Sequence, residues 1–509
     1  MSTSAHALLD AQRERKLLAR WVVSGTLTLE SALHLGGEGD SRVDMPILRD
    51  AREGKPLLCG ATLAGAIRSA LTDRLCGFAG DEEGAELVAQ LFGGSRARDD
   101  GEQSPLIVFD ALGELGDGAV ELRDGLAILP ETGAAEDGKK YDYEVLPAGT
   151  TFPVRVDLLI AATSSRAGQE PVPEARLLLA LATALEGFRQ GDIALGGKRS
   201  RGLGCLRGRW CARRFDLSDA NGWTEWALFD SRKQPGAKEL EDDIGQVLRA
   251  RAPLTDPALA ALPDRRRRVL FDLDLAVLGD LLVGSPGTDP GGPDVVQLQS
   301  GSKDVLPGTS LAGPLRLQAL RILRLVRADE KDAAQWVDRL FGPRFEDRRP
   351  TAAVSPRASR LRVGEAWVRE SGRAKRQRIA LDRFTQAPVP GALFDARVAV
   401  GGRIGVRLEL RDPLPGELGL VLLVLKDLLD GRVPVGGTSG VGRGWLKGSA
   451  EVVLPNAEGG RGPTVKLEPG RAPSGDGAGA VDVAIRELLG AKRLGNAAAP
   501  VRAAASEVR

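Results

Sequence analysis

Aromatic residues, cysteines and histidines are scarce in this sequence, and each shortage excludes a kind of site. Phe, Trp and Tyr make up 4% of the chain, which argues against a nucleic-acid binder that holds bases mainly on exposed rings. The four cysteines show no CxxC spacing and no partnering histidine pair, so we expect no zinc site. His34 has no histidine near it, and we interpret it as a packing or hydrogen-bonding residue.

Long apolar runs and a clear excess of one charge are also missing. Because no apolar span reaches about 18 residues and none follows the charged amino-terminal segment, we expect no membrane contact and a cytoplasmic, reduced, soluble protein. The formal net charge is +1, so no overall basic field indicates a nucleic-acid partner. Basic residues do cluster, as in the run from Arg265 to Arg268, which by default is typical of a solvated face.

Three motifs recur in the same order at a nearly constant separation, which indicates one domain written twice in tandem. A chain of 509 residues with 42% hydrophobic residues is long enough to build two cores. The last pair of motifs shares four glycines at matching positions. The pairs are CGATLAGAIR (59–68) with PGTSLAGPLR (307–316), LFG (91–93) with LFG (340–342), and GGKRSRGLG (196–204) with GGTSGVGRG (436–444).

The hydrophobic periodicity of each copy predicts a strand, a helix, two strands, a helix and a last strand. This is the order of a ferredoxin-like α+β sandwich, whose sheet suits laying one face on RNA. Long polar insertions are predicted at 121–147 and 369–394. We expect a first domain (1–213), a linker with a helix around 238–249 (214–266), a second domain (267–454), and a low-complexity, largely disordered tail with one helical patch (455–509).

The glycine-rich loop that follows the second helix of each copy has two interpretations. It is either a tight helix-to-strand turn, where glycine supplies positive φ, or a set of backbone amides that bind phosphate beside basic side chains. Repetition with fixed glycine spacing favours phosphate binding. The loop lacks the earlier glycine and the Ser or Thr after Lys198 that a Walker A motif needs, and it lacks the GxGxxG pattern of dinucleotide sites.

The stretch LHLGGEGDSRVDMPILRDAREGKPLLCGATLAGAIR (33–68), with LFG and GGKRSRGLG after it, resembles the RAMP superfamily. It is similar, more narrowly, to the Csm/Cmr-type backbone subunits of type III CRISPR effector complexes. Two such units in one chain look like the fused subunits of type III-D or related systems. The resemblance covers about 20–213 and 267–453. It implies ferredoxin-like (RRM-like) cores along a guide RNA, each with a β-hairpin thumb, which here would be the two insertions.

The resemblance also implies a cleavage site in each copy. The catalytic aspartate of the family lies in a loop of the form Asp-x-Pro-x-x-x-Asp, which places it at Asp44. We interpret Asp50 as structural. The looser match in the second copy is Asp294, with Asp289 and Asp304 close enough to compete. RNA carries its own nucleophile, so the carboxylate would take the 2′-OH proton or hold a divalent metal, which we expect to be Mg²⁺. The alternative for Asp44 is a loop aspartate that accepts nearby N–H groups.

Guide-RNA contacts are implied at two places in each copy. The family's usual lysine at the helix start is replaced by alanine, so Arg68 and Arg316 are the candidates for phosphate contact there. The glycine-rich loops supply the remaining candidates. These are Gly196, Gly197, Lys198, Arg199, Ser200, Arg201 and Gly202 in the first copy, and Gly436, Gly437, Thr438, Ser439 and Arg443 in the second.

The sequence thus predicts a guide-RNA (crRNA)-binding backbone protein with two metal-dependent endoribonuclease sites. It would act on target single-stranded RNA inside a complex with the other subunits of a type III effector. Three alternatives stay open: a scaffold whose aspartates are idle, a guide-maturation endoribonuclease that cuts free repeat RNA unaided, and a protein-binding adaptor without RNA.

Overall fold

The computed structural model describes residues 16–38, 43–80, 84–94, 103–116, 118–129, 135–162, 170–230, 233–251, 262–287, 291–326, 330–343 and 357–490. Two units follow one another along this chain, and the mixed α+β class is confirmed in both. None of the helices in the described ranges combines the length and the apolar character needed to cross a membrane.

Unit one contains the first glycine-rich loop and the first aspartate motif. Its helices are α1 (Gly60–Cys76), α2 (Ala85–Phe92) and α3 (Glu174–Gln190). Its strands are β1 (Leu17–Leu29), β2 (Leu57–Leu58), β3 (Leu106–Val108), β4 (Ala111–Leu112), β5 (Glu121–Gly125), β6 (Tyr141–Val145), β7 (Thr151–Ala161) and β8 (Leu206–Asp216).

The main sheet of unit one is antiparallel, in the order β3-β7-β1-β8. The alternation of WVVSGTLTL in β1 places Trp21, Val23 and Leu27 on one buried face. These side chains share a core with α1 and α3, which supply Ile67 and Leu181 among others. Strands β5 and β6 form a separate hairpin within the predicted insertion at 121–147.

Two helices of the connection follow unit one, α4 (Ala220–Leu228) and α5 (Ile244–Arg249). Asp219 and Asp243 cap them by accepting hydrogen bonds from backbone N–H groups of their first turns. Because Ile244, Val247 and Leu248 of α5 are buried in the unit-one core, this part of the segment predicted as a linker is an extension of unit one.

Unit two repeats the same core order of elements and adds further strands and a last helix. Its helices are α6 (Gly308–Val326), α7 (Glu330–Phe341), α8 (Glu417–Leu429) and α9 (Ala478–Gly490). Its strands are β9 (Arg268–Leu278), β10 (Asp280–Leu281), β11 (Gly284–Pro286), β12 (Val295–Gln297), β13 (Gln299–Ser300), β14 (Lys303–Leu306), β15 (Leu361–Val363), β16 (Ala366–Arg369), β17 (Gly372–Leu381), β18 (Pro388–Val400), β19 (Arg403–Arg411), β20 (Trp445–Pro455) and β21 (Arg461–Leu467).

Two sheets build unit two. The larger one has the order β13-β14-β16-β19-β9-β20-β21, and β15 also pairs with β19. Its central strands β15, β19, β9 and β20 correspond to β3, β7, β1 and β8 of unit one, in the same spatial order. The second sheet contains β10, β18, β12 and β11, and β17 pairs with β18 as a long hairpin that covers most of the predicted insertion at 369–394 and extends beyond it to Val400.

The prediction of a largely disordered tail from 455 is wrong for residues 455–490. Strand β21 pairs with β20, and α9 buries Val481, Ala484 and Leu488 in the unit-two core. The physical reason is α8, ELGLVLLVLKDLL, which is apolar on almost every side and needs a second covering layer. The last predicted tail residues, 491–509, lie outside the described residues.

The run Arg265 to Arg268 is not a solvated face, because two of its four arginines are buried. Arg266 and Arg268 both donate to the carboxylate of Asp192, at 2.7 and 2.5 Å, and all three side chains are less than 10% exposed. A charge run with a buried acceptor opposite it becomes an ion-pair network. Here the network fastens the start of unit two to the end of α3 in unit one.

Candidate functional site

Asp44 lies opposite Asp142 of strand β6, and the two residues exchange hydrogen bonds. The N–H of Asp44 donates to Oδ1 of Asp142 at 2.7 Å, and the N–H of Asp142 donates to Oδ2 of Asp44 at 3.0 Å. The next residues, Met45 and Tyr143, form a parallel bridge. Asp44 is exposed, so its remaining carboxylate oxygen is available at the surface. We call Asp44 and Asp142 the first aspartate pair.

Unit two has a corresponding arrangement at Asp294 and Asp395, with one of the two hydrogen bonds. The N–H of Asp395 donates to Oδ2 of Asp294 at 3.4 Å, and Val295 pairs in parallel with Ala396 directly after them. Asp294 and Asp395 therefore form a second aspartate pair, in the same register on the second strand of the insertion hairpin. Asp294 is exposed like Asp44.

The other acidic candidates do not share this position. Asp304 is 4% exposed, and its carboxylate is bound by Arg373 and Gln299. Asp50 accepts hydrogen bonds from the N–H groups of Arg52 and Glu53, a turn of the kind that loop aspartates commonly form. Asp289 lies outside the described residues.

The two aspartate pairs differ in their surroundings. Lys375 lies 2.7 Å from Oδ2 of Asp395 and holds the pKa of that carboxyl below its ordinary value, with Gln377 also donating to it. Among the described residues, no basic side chain forms an ion pair with Asp142. The first pair therefore presents two carboxylates, whereas in the second pair one is already neutralised.

The fit of a divalent metal follows from these donors. No group of three or more His, Cys, Asp and Glu side chains suited to a metal occurs within the described ranges. Mg²⁺ is commonly held by one or two carboxylates plus substrate phosphates and waters. The first aspartate pair fits that mode, and Asp294 fits it with a single carboxylate.

The first glycine-rich loop touches the strand that carries Asp142. The Nζ of Lys198 donates to the hydroxyl of Tyr141 and lies 4.5 Å from the ring centres of Tyr141 and Tyr143. The N–H of Gly197 donates to the carbonyl of His34 at 2.9 Å. His34 is 3% exposed, and its Nδ1 donates to a backbone carbonyl, in agreement with the structural role expected for it.

The predicted phosphate contacts at Arg68 and Arg316 stay predictions, and in the structure both guanidinium groups bind the end of a helix. Arg68 donates to the carbonyl of Gly93 at 3.2 Å, and Arg316 donates to the carbonyl of Gly342 at 2.6 Å. These glycines are the last residues of the two LFG motifs. Basic side chains stabilise helix carboxyl ends in this way. The recurrence of LAG and LFG is therefore explained by a structural contact, in which an arginine of the LAG helix binds the glycine carbonyl of LFG in each unit.

Two predicted RNA-binding residues of the first loop instead join the two units. Arg201 is half-buried and donates to the carbonyl of Phe341 at 2.7 Å. Gly202 is buried at φ +84°, and a Cβ there would lie 2.0 Å from the amide nitrogen of Glu365. Both positions contact unit two, and their predicted RNA contacts stay predictions.

The second glycine-rich loop has the same backbone conformation as the first, but its residues at 436–438 are exposed. Thr438 has φ 57°, matching φ 55° at Lys198, and each precedes a 3-10 turn, Ser439–Val441 and Arg199–Arg201. Gly436, Gly437 and Thr438 are exposed. Arg443, in contrast, is 5% exposed and donates to the side chain of Thr438, and its predicted RNA contact stays a prediction.

A buried ion pair connects the first hairpin with unit two. Arg123 of β5 is 3% exposed and its guanidinium contacts both carboxylate oxygens of Glu365, which is fully buried. Glu365 also accepts the N–H of Ala32 at 3.1 Å. This contact holds the hairpin, and with it Asp142, against the second unit.

Sequence reasoning missed Asp142, Asp395, Tyr141 and the Arg123–Glu365 pair. The alternating stretch YDYEV (141–145) was a usable signal for Tyr141 and Asp142, because it predicts a strand with both tyrosines on one face and Asp142 on the other. Nothing in the sequence signals the Arg123–Glu365 pair, whose members lie 242 residues apart.

Comparison with known proteins gave two findings. A family model described as RAMP superfamily matches residues 26–207 and 274–447, one match in each unit. No curated protein matches the chain.

Proposed function

We propose, from the premise that this chain belongs to the RAMP superfamily, that it is an RNA-binding backbone subunit of a type III CRISPR effector complex. It would have the Csm/Cmr-type form with two units fused, as in type III-D-like systems. Each unit would lay a ferredoxin-like core along the guide RNA and cut the paired target RNA once. The partners would be crRNA, target single-stranded RNA and further subunits of the complex.

The observation that carries this proposal is the repeated aspartate pair. Asp44 and Asp294 occupy the same register against the second strand of an insertion hairpin in both units. A turn aspartate with only a local role needs no such long-range register. The hairpins would act as the thumbs that bend a guide–target duplex, and each would bring the bent phosphodiester to an exposed carboxylate.

The chemistry requires little from the protein beyond orientation. RNA supplies its own nucleophile, and placing the 2′-OH in line with the adjacent phosphate supplies about 7 kcal/mol or more. The free oxygen of Asp44 would accept the 2′-OH proton, and the hydrogen bonds with Asp142 fix the position of its carboxylate. A divalent ion bound by Asp44 and Asp142, or by Asp294, would polarise the phosphate.

The left-handed backbone at Lys198 and Thr438 supports a functional loop. A simple turn would use glycine at these positions, because a non-glycine residue there costs about 1–2 kcal/mol. Such strain is typical of binding loops. In unit one we propose that the RNA surface includes Gly196, Gly197, Lys198, Arg199 and Ser200. In unit two it includes Gly436, Gly437, Thr438 and Ser439.

The test replaces each aspartate by alanine. The complex is assembled with guide and labelled target RNA, and the products are resolved by size. We expect Asp44→Ala and Asp294→Ala each to remove one product, with a loss of at least about 100-fold at that site. Asp50→Ala is the matched control, because this loop aspartate has only a turn role and should leave both products.

A structural scaffold is the second candidate, favoured by the backbone N–H groups that both aspartates accept. An unchanged product pattern in both alanine variants would select the scaffold. Cutting of free repeat RNA by the chain alone would select guide maturation instead. A purified complex whose absorbance at 260 nm does not change on ribonuclease treatment would exclude RNA and select a protein-binding adaptor.

A further inference from the structure

A cavity of about 430 Å³ lies between the two units, within the range of about 300–1,000 Å³ typical of ligand sites. Lys198 and Arg199 of the first glycine-rich loop line it from unit one. Arg360, Arg362 and Arg411 line it from unit two. None of these unit-two arginines lies in a motif that predicted RNA binding from the sequence. We call this space the interunit cavity.

The interunit cavity concentrates positive charge in a chain that is almost neutral overall. Five basic side chains and one carboxylate, that of Asp412, line it, whereas the net charge of the chain is +1. Carboxylates around the cavity balance part of this charge. Arg362 lies 3.7 Å from Glu409, and Arg411 lies 3.2 Å from the same carboxylate.

The remaining carboxylate contacts are long and leave donors unused. Arg411 lies 3.7 Å from Asp73, and Nε of Arg360 lies 3.5 Å from Glu417. The Nη2 atom of Arg360 is buried without a hydrogen-bond partner in the described part of the chain. Because a buried guanidinium N–H without an acceptor is costly, this donor adds to the positive charge that is left unbalanced beside the cavity.

The basic groups also repel one another. Burial, followed by the charge of Arg411 and a smaller effect of Arg199, lowers the pKa of Arg362 to about 10, against the opposing attraction of Glu409. An anion in the cavity would relieve this repulsion. Arginine is the side chain best suited to phosphate, because its fork of N–H groups matches two phosphate oxygens.

We infer that the interunit cavity binds a backbone phosphate of an RNA strand as the strand passes from unit one to unit two. This inference rests on the proposed function. The path of the RNA strand is inferred from Lys198, which lines the cavity and also contacts Tyr141, the neighbour of Asp142. A strand leaving the first aspartate pair therefore meets Lys198 and then the unit-two arginines. Phe78, with Arg411 4.7 Å over its ring, gives the cavity an aromatic wall.

The test uses the full chain and a fluorescein-labelled single-stranded RNA, with anisotropy measured over a series of salt concentrations. We expect Arg362→Gln and Arg411→Gln each to weaken binding several-fold and to lower the slope of log affinity against log salt by about 1, the value for one lost phosphate contact. The melting temperature of Arg362→Gln should not fall, because the change removes a crowded charge.

Arg471→Gln is the matched control, since Arg471 is 76% exposed, pairs with the nearby Glu468 and is not among the residues that line the cavity. Unchanged RNA affinity in both cavity variants would overturn the inference while leaving the proposed function intact. A wild-type chain that binds no RNA would instead remove the proposed function. Inorganic pyrophosphate is the second probe. If the variants lose a pyrophosphate-induced rise in melting temperature but keep RNA affinity, the cavity holds a small anion and the inference fails.

Discussion

The two glycine-rich loops have the same backbone and opposite surroundings. In unit one the end of the loop is covered by unit two, where Gly202 packs directly on the backbone at Gly364 and Glu365. In unit two the equivalent Gly442 is exposed and a Cβ there would meet nothing within 4 Å. Since both positions keep a positive φ, the glycine spacing follows from the backbone of the loop. In unit one, the contact with unit two is an additional role of the same loop surface.

The aspartate pairs show the same principle. Their register is shared, but Asp142 has no basic partner in the described residues, whereas Asp395 is held by Lys375. The hairpins that carry them also differ, with strands of 5 residues each in unit one and of 10 and 13 residues in unit two. Duplication therefore preserved the position of the carboxylate and let its electrostatic environment diverge. We expect the two proposed cleavage sites to differ in metal requirement.

The largest expected effect concerns the contact between the units. Arg123→Met should lower the free energy of unfolding by about 3–5 kcal/mol, because it leaves the buried carboxylate of Glu365 without its counter-ion. The double variant Arg123→Met/Glu365→Gln should recover most of this loss. Urea unfolding monitored by tryptophan fluorescence measures both. A loss below about 1 kcal/mol, the value of an exposed pair, would mean that the contact does not hold the units together.

Gly202→Ala and Gly442→Ala test the comparison of the loops directly. Gly202→Ala should cost about 3 kcal/mol, because a close contact with the unit-two backbone adds to the left-handed strain. Gly442→Ala should cost about 1 kcal/mol, from the strain alone. The same unfolding measurement applies. Equal losses at the two positions would contradict the covered and open states of the two loops.

The next effect concerns the second aspartate of each pair. Asp142→Asn keeps an oxygen that accepts the N–H of Asp44 but removes the charge. It should therefore raise the Mg²⁺ concentration for half-maximal cleavage at the first site by about tenfold, the scale of a lost metal-supporting group. Asp395→Asn should change the second site less, because Lys375 already neutralises that carboxylate. Equal shifts at the two sites, or none at the first, would assign Asp142 a purely structural role.

The smallest effect is expected when the ion pair between Lys375 and Asp395 of the second aspartate pair is removed. Lys375→Met should lower the Mg²⁺ requirement of the second site by about threefold, since an exposed ion pair contributes only up to about 1 kcal/mol. The first site is the internal control within the same molecule. A change of equal size at both sites would indicate an effect on assembly instead.

The order of strands and helices and the position of Asp44 were predictable, because periodicity and motif spacing are local properties of the chain. The residues that the aspartates and the loop arginine contact in the fold were not predictable. Asp142 meets Asp44 across 98 residues and Asp395 meets Asp294 across 101, through a parallel register that no motif encodes. The role of Arg201 was also hidden, since a basic residue beside glycines fits a phosphate or a carbonyl equally well. Only the fold supplies the carbonyl of Phe341.

A density map of the assembled complex with guide and target RNA is the decisive test of the proposed function. That function predicts RNA along both glycine-rich loops, with one target phosphodiester beside Asp44 and another beside Asp294. A map in which these two faces pack against protein and carry no nucleotides would contradict it.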